Sequence, residues 1–319
     1  SPALHDWADL DVADISLDEP HAPARRRETV ADRAPALAGT QLHGGTGMLS
    51  RQARCPLRAF CEYRLDARAL DRAGIGMNGR LRGMATHRAL EVLLADLPER
   101  ERVAAKVAEV RAAAERALDE IFREARAPLS SLFALETERL ATALARFISL
   151  EQSRAPFRIV AVERKARIEV AGFELRVRID RIDELGDGTV AILDYKTSER
   201  VTTKDWFRDR PRDIQVPLYA SHAAERVSAA AIAAVTADAE YRGYWRDGDF
   251  PGRPAQLSEY DWPAQLGRWR TQIEALAREH AGGDTRVFIG DLEEAEGAYA
   301  PLTRIDEQLA LVRGSLGRW

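Results

Sequence analysis

Phe173-Glu174-Leu175-Arg176-Val177-Arg178-Ile179-Asp180 alternates apolar and polar residues without a break, and Thr189-Val190-Ala191-Ile192-Leu193-Asp194-Tyr195-Lys196 follows it after the glycine-bounded Gly186-Asp187-Gly188. Strict alternation predicts a strand, and the short Gly-x-Gly link predicts a tight antiparallel turn into a second one. Side chains change face at every strand residue. The first strand therefore has an apolar face of Phe173, Leu175, Val177 and Ile179 and a polar face ending in Asp180. In the second, Val190, Ile192, Asp194 and Lys196 share one side, with Leu193 and Tyr195 on the other. Pairing the strands brings Asp180 and Asp194 together. Upstream, Phe157 to Val170 with a turn at Ala171-Gly172 supplies a third strand, which carries Glu163. Three consecutive strands make a sheet.

Two carboxylates beside an ammonium form a chemically pointed set. Hard divalent cations such as Mg²⁺ or Mn²⁺ take oxygen ligands, commonly one or two carboxylates completed by water and substrate phosphate. Asp180 and Asp194 suit the ion; Lys196 suits orienting a water or stabilising charge on a phosphate under attack. An Asp-x-Lys at a strand end is equally well a surface ion pair worth about 0–1 kcal/mol. The lysines are only Lys106, Lys165, Lys196 and Lys204, arginine being used elsewhere, so a compact ammonium at 196 favours the chemical role.

Around the strands the pattern is helical. Residues 82–97 place His87, Leu90, Glu91 and Leu94 on one face, and 99–126 and 132–152 form Ala- and Leu-rich amphipathic helices. After the triplet, residues 215–224 predict a helix, 230–236 a strand, and 260–281 a helix with Trp262, Leu266, Trp269 and Ile273 toward the core.

Four motifs in this order resemble the RecB-type branch of the PD-(D/E)XK nuclease superfamily. They are Gly83-Met84-Ala85-Thr86-His87-Arg88-Ala89-Leu90-Glu91, Arg178-Ile179-Asp180-Arg181-Ile182-Asp183, Asp194-Tyr195-Lys196-Thr197 and Gln215-Val216-Pro217-Leu218-Tyr219. The resemblance covers residues 44 to 222 and implies an α/β fold: a mixed central sheet flanked by helices, with a helical insertion and a metal site at the sheet edge. It also implies metal binding by His87, Asp180 and Asp194, assistance from the Tyr195 backbone carbonyl, catalysis by Lys196, and site support or DNA contact by Gln215 and Tyr219. Val177 stands where the family often has glycine. Glu163 stays between two roles, a metal or water contact and a strand-edge charge cluster with Arg164 and Lys165.

Ser50 to Phe60, containing Cys55-Pro56, is similar to the start of AddB-like C-terminal nuclease domains, whose cysteine joins three others around an iron-sulfur cluster. Only Cys55 and Cys61 exist here, so no cluster is expected. By the same resemblance the chain would be the nuclease part of a larger DNA repair protein, with a helicase-like region upstream or a helicase subunit as partner. The expected activity is Mg²⁺- or Mn²⁺-dependent hydrolysis of DNA phosphodiesters. The alternative is a catalytically silent DNA-binding or scaffolding module of the same fold.

Composition bounds the rest. At 319 residues and 45% apolar content the chain can bury a substantial core. No apolar run reaches the roughly 18 residues of a membrane span, no signal-peptide pattern is present, and two cysteines without a disulfide framework fit a reducing cytoplasm. The Ser1-Pro2 start suggests a fragment or processed chain. Gly44-Gly45-Thr46-Gly47 lacks the Gly-Lys-Ser/Thr of a phosphate loop, so no ATP site is expected.

A net charge of -4 leaves room for a local DNA track. Between residues 51 and 82, eight arginines, Arg51, Arg54 and Arg58 among them, face three acids, with Phe60 and Tyr63 interleaved. This stretch fits either a phosphate-contacting surface or a solvated helix face. Residues 1–43 are expected to be a linker or wrapping arm, and 44–319 the nuclease domain, with a helical insert at about 99–152, the catalytic sheet at about 157–200 and a helical region at about 205–319.

Overall fold

The computed structural model describes residues 33–68, 76–123, 130–199, 201–246, 248–255, 261–287 and 299–303. Residues 1–32 of the expected arm, Asp71 and Arg72 of the basic stretch, Tyr260, and the tail beyond residue 303 lie outside them. In chain order the elements are β1 (Gln41–Leu42), α1 (Gly45–Arg54), α2 (Pro56–Tyr63), α3 (Gly79–Leu93), α4 (Arg100–Ala105), α5 (Val110–Ile121), α6 (Ser130–Glu151), β2 (Phe157–Val170), β3 (Phe173–Leu185), β4 (Val190–Lys196), α7 (Gln215–His222), β5 (Val227–Ala234), β6 (Glu240–Tyr244) and α8 (Trp262–Ala281). No helix among the described residues is long and apolar enough to cross a membrane.

The sheet is mixed, as the expected α/β fold requires. β2 pairs antiparallel along the whole of β3, β3 antiparallel with β4, β4 parallel with β5, and β5 antiparallel with β6. Alternation in β4 sorts its side chains into two cores. Ala191, Leu193 and Tyr195 pack with Leu90 of α3, Leu118 of α5 and Phe147 of α6. Val190 and Ile192 pack with Met48 of α1, Leu218 of α7 and Trp269 of α8. Helices thus cover both faces. Trp206, Trp262 and Trp269 all belong with the second core, and the Trp269 indole donates to the Trp206 carbonyl at 2.8 Å.

Local chemistry sets the ends of these elements. Asn78 caps α3 by accepting the Leu81 N–H, and Asp261 caps α8 by accepting that of Ala264. The helical pattern read across 99–126 breaks at a 3₁₀ turn over Lys106–Glu109, so α4 and α5 are separate helices. The Gly44-Gly45 start of α1 is built around Tyr63. Gly44 has φ 96°, and a Cβ there would lie 2.2 Å from the Tyr63 ring, so this glycine serves packing.

One feature of the sheet decides where chemistry can sit. On the side of β3 away from β2, β1 pairs with Glu174 and Leu175, and β4 takes over only at Arg181. Among the described residues no strand pairs with 176–180 on that side. Ile179 and Ile182 both face the second core, so the alternation read through Ile179 slips by one residue at Asp180-Arg181. The resulting notch lies between β3 and β4, one strand in from β2, which ends the sheet on that side among the described residues.

Candidate metal centre

Three elements deliver side chains to the face of the sheet beside this notch. Asp180 stands just past the last β3–β4 pair, and its Oδ2 accepts the Tyr195 N–H at 2.9 Å, taking the place a ladder carbonyl would hold. Glu163 comes from β2, whose register slips by one between Ile159 and Ala161 and whose backbone at Glu163 has φ 48°. A left-handed non-glycine residue within a strand is strained, and irregularities of this kind re-aim side chains at sites. Glu163 is thereby turned into the molecule, with its side chain only 2% exposed.

His87 reaches across from α3. Its Nδ1 lies 3.0 Å from Glu163 Oε1 and 3.6 Å from Asp180 Oδ1, and its Nε2 lies 3.2 Å from the Tyr195 carbonyl. Both ring nitrogens face oxygen acceptors, an arrangement that suits the imidazolium. Burial pulls the His87 pKa down, but the Glu163 hydrogen bond and the charges of Asp180, Glu163 and Asp194 carry it above its usual value. The Asp180 carboxyl is also pushed up, first by burial and then by Asp194. The two shifts share one contribution, the negative charge of neighbouring buried carboxylates, which a proton or a cation relieves.

His87, Glu163 and Asp180 each offer a ligand atom within 4.8 Å of the other two. Asp194 lies outside this trio. Its carboxylate is 2% exposed and pairs with the Lys196 ammonium at 2.8 Å, and neither oxygen accepts a well-oriented hydrogen bond. Burial pulls the Lys196 pKa down, while Asp194 and Asp213 raise it further. One imidazole and two carboxylates at close quarters, with a buried, under-bonded carboxylate beside them, fit a divalent cation that prefers oxygen.

The cleft over the trio has a volume of about 650 Å³ and runs between α3, α5 and the sheet, with Met84, Arg88, Ile121, Arg178 and Gln215 among its walls. Gln215 is the first residue of α7. Tyr219, one turn on, is 3% exposed and donates its hydroxyl to the Arg178 carbonyl at 2.8 Å, tying α7 to the unpaired part of β3. Arg51, Arg54 and Arg58 do not line this cleft. Arg51 and Arg58 converge on Glu62, at 3.1 and 2.7 Å.

Two neighbours of the site, Asp213 and Arg178, were not legible in the sequence, nor was the separate place of Asp183. Asp213 precedes α7, and the pKa of its carboxyl is raised by burial and lowered by the charge of Lys196, so the ammonium feels Asp213 as well as Asp194. Asp213-x-Gln215 at a helix start was the available signal. Arg178 contacts Glu163 from the cleft side. Asp183, from the same motif as Asp180, faces away, into a wholly buried quartet with Glu151, Arg154 and Arg181.

A family model for the PD-(D/E)XK nuclease superfamily matches residues 47–287 of the chain, which spans the trio, Asp194, Lys196 and both helical layers. No protein of curated function matches the sequence.

Proposed function

The chain belongs to the PD-(D/E)XK nuclease superfamily, and from that footing we propose that it is a divalent-metal-dependent deoxyribonuclease. The observation that carries this is the convergence of His87, Glu163 and Asp180, from three separate elements, beside the Asp194–Lys196 pair under one cleft. Hydrolysis of a phosphodiester needs a cation for the phosphate, a placed water, and relief of developing charge.

Asp180, Glu163 and His87 would hold the ion, with Asp194 joining them as its oxygens leave Lys196. When bound, Mg²⁺ or Mn²⁺ supplies Lewis-acid stabilisation of the phosphate oxygens and lowers the pKa of water. The Tyr195 carbonyl already accepts from His87, so it comes free only when the imidazole turns away. Lys196, one-third exposed and held by Asp194, presents an ammonium that can orient the attacking water and offset charge on the phosphate. Water attacks and the sugar oxygen leaves, with no covalent intermediate on the protein. Gln215 lines the cleft where the strand would pass, and Tyr219 acts as a brace.

By resemblance to AddB-like domains, the setting we propose is cytoplasmic DNA repair or recombination, beside a helicase-like region or subunit. The test is incubation of labelled single- and double-stranded DNA with Mg²⁺, Mn²⁺ or EDTA. Cleavage that needs metal and disappears in Asp194→Ala and Lys196→Ala supports the enzyme. Tight DNA binding without cleavage in either metal would establish the silent module instead.

A further inference from the structure

Arg178 lies two residues before Asp180, with its backbone pinned and its head half in solvent. The carbonyl receives the Tyr219 hydroxyl at 2.8 Å, while the side chain is 51% exposed and forms part of the cleft wall. Its Nε sits 2.5 Å from Glu163 Oε2, and its Nη2 reaches Glu91 only at 3.4 Å. Glu163 thus divides its two oxygens between two cations, His87 and Arg178.

Arg88, another guanidinium of the cleft, is differently placed. It makes paired hydrogen bonds to Glu120 at 2.7 and 2.9 Å and a third to Glu91 at 2.9 Å. Neither carboxylate belongs to the trio; Glu91 is shared with Arg178, but the paired bonds to Glu120 hold Arg88 whatever Glu163 binds. Arg178 depends chiefly on Glu163.

We propose that Arg178 is a substrate-positioning residue that exchanges partners: it neutralises Glu163 in the resting site and turns to a backbone phosphate of the bound nucleic acid once a divalent ion engages Glu163. This rests on the nuclease reading. The exchange follows from charge. A carboxylate drawn to a dication attracts a guanidinium less, and the dication repels it directly. The released group stays near the reacting phosphate because its backbone is tied to α7. A guanidinium is suited to both partners, since its planar fork matches carboxylate and phosphate alike.

The two halves of the exchange predict effects of opposite sign in one variant. Arg178→Ala should bind Mn²⁺ about 2- to 5-fold more tightly in calorimetry without DNA, the exposed pair being the competitor removed. The same variant should bind a labelled oligonucleotide more weakly in Ca²⁺, with the slope of log affinity against log salt reduced by about 0.7–0.9, the loss of one phosphate contact. Arg178→Lys keeps the charge and should retain most of that slope. Unchanged or weaker Mn²⁺ binding in Arg178→Ala, or an unchanged salt slope, overturns the proposal and leaves Arg178 a structural partner of Glu163. Both measurements are made without turnover. A wild-type chain that fails to cleave DNA therefore sinks the nuclease reading while Arg178 is still decided.

Discussion

The Asp180 carboxylate accepts the Tyr195 backbone N–H at 2.9 Å, so a proposed metal ligand also closes the sheet where β3 and β4 part. The two duties separate by substitution. Asparagine at 180 can still accept that N–H through its amide oxygen, but it has no charge to give a cation. Since burial and Asp194 already disfavour the Asp180 carboxylate, Asp180→Asn should be at least as stable as wild type without metal while losing Mn²⁺ binding. Asp180→Ala leaves the buried N–H unpaired and should lose about 1–3 kcal/mol. Urea denaturation and calorimetry of both variants check this, and an Asp180→Asn chain that binds Mn²⁺ normally defeats the ligand assignment.

Lys196 and Asp194 divide in the same manner. Removing the ammonium frees the Asp194 carboxylate for an ion, so Lys196→Ala should keep or improve Mn²⁺ affinity while cleavage drops by about 10²–10³, the range for loss of one transition-state charge donor. Asp194→Ala should weaken both. Single-turnover cleavage beside metal titration separates the two effects. A Lys196→Ala chain that loses Mn²⁺ would show the lysine to be holding the site together rather than acting in the reaction.

What could be seen in the sequence, and what could not, follows from how local each signal is. The turn at Ala171-Gly172 marks the end of β2, and the strand is found with the bounds expected, Phe157–Val170, because turn chemistry is a local signal. Asp180, Asp194 and Lys196 could be placed for the same reason. The slip at Asp180-Arg181 and the left-handed Glu163 could not, since both depart from regular pairing and an alternating pattern carries no mark of such a departure. Glu163 had equal claims as a surface charge until the fold turned it inward. The observed strand Val227–Ala234 begins three residues before the 230–236 that the pattern predicts, since Ser228 and Ala229 dilute the signal of Val227. The excess of positive charge in 51–82 proved to be partly internal, with Arg51 and Arg58 on Glu62 and Arg82 on Glu136.

Burial of charge was the least legible feature. Glu151, Arg154, Arg181 and Asp183 have side chains with no exposure, the Arg154 guanidinium lying 3.9 and 4.0 Å from the Phe157 and Phe250 ring centroids. Two acids and two bases balance, and the quartet joins the end of α6 to β3 behind Asp180. Deleting one member strands a buried charge and typically costs about 3–5 kcal/mol, whereas an apolar replacement of a matched pair is much milder. Glu151→Ala should therefore be far more destabilising than the double change Glu151→Leu with Arg181→Met. Denaturant titration decides, and a single variant losing under about 1 kcal/mol would mean the quartet contributes little.

His280 gives the fold a pH dependence separable from the metal centre. It is 3% exposed, on α8, with Nδ1 3.2 Å from the Gln52 side-chain oxygen of α1. Burial, and then the Arg64 charge, lowers its pKa to about 4 from a usual 6.5. Between those values the unfolded chain holds a proton that the folded chain does not, so stability is complete above pH 6.5 and falls as pH drops toward 4. The loss is at most about 3.5 kcal/mol, at about 1.4 kcal/mol per unit. His280→Gln has no such proton to take up. Its stability difference from wild type should therefore shift in its own favour as pH falls from 7 to 5, and subtracting the two urea curves cancels His87 and Asp180, which titrate in both chains. A difference that stays flat across that range would mean the His280 ring is protonated in the folded molecule too, its charge reaching solvent or a carboxylate despite its burial.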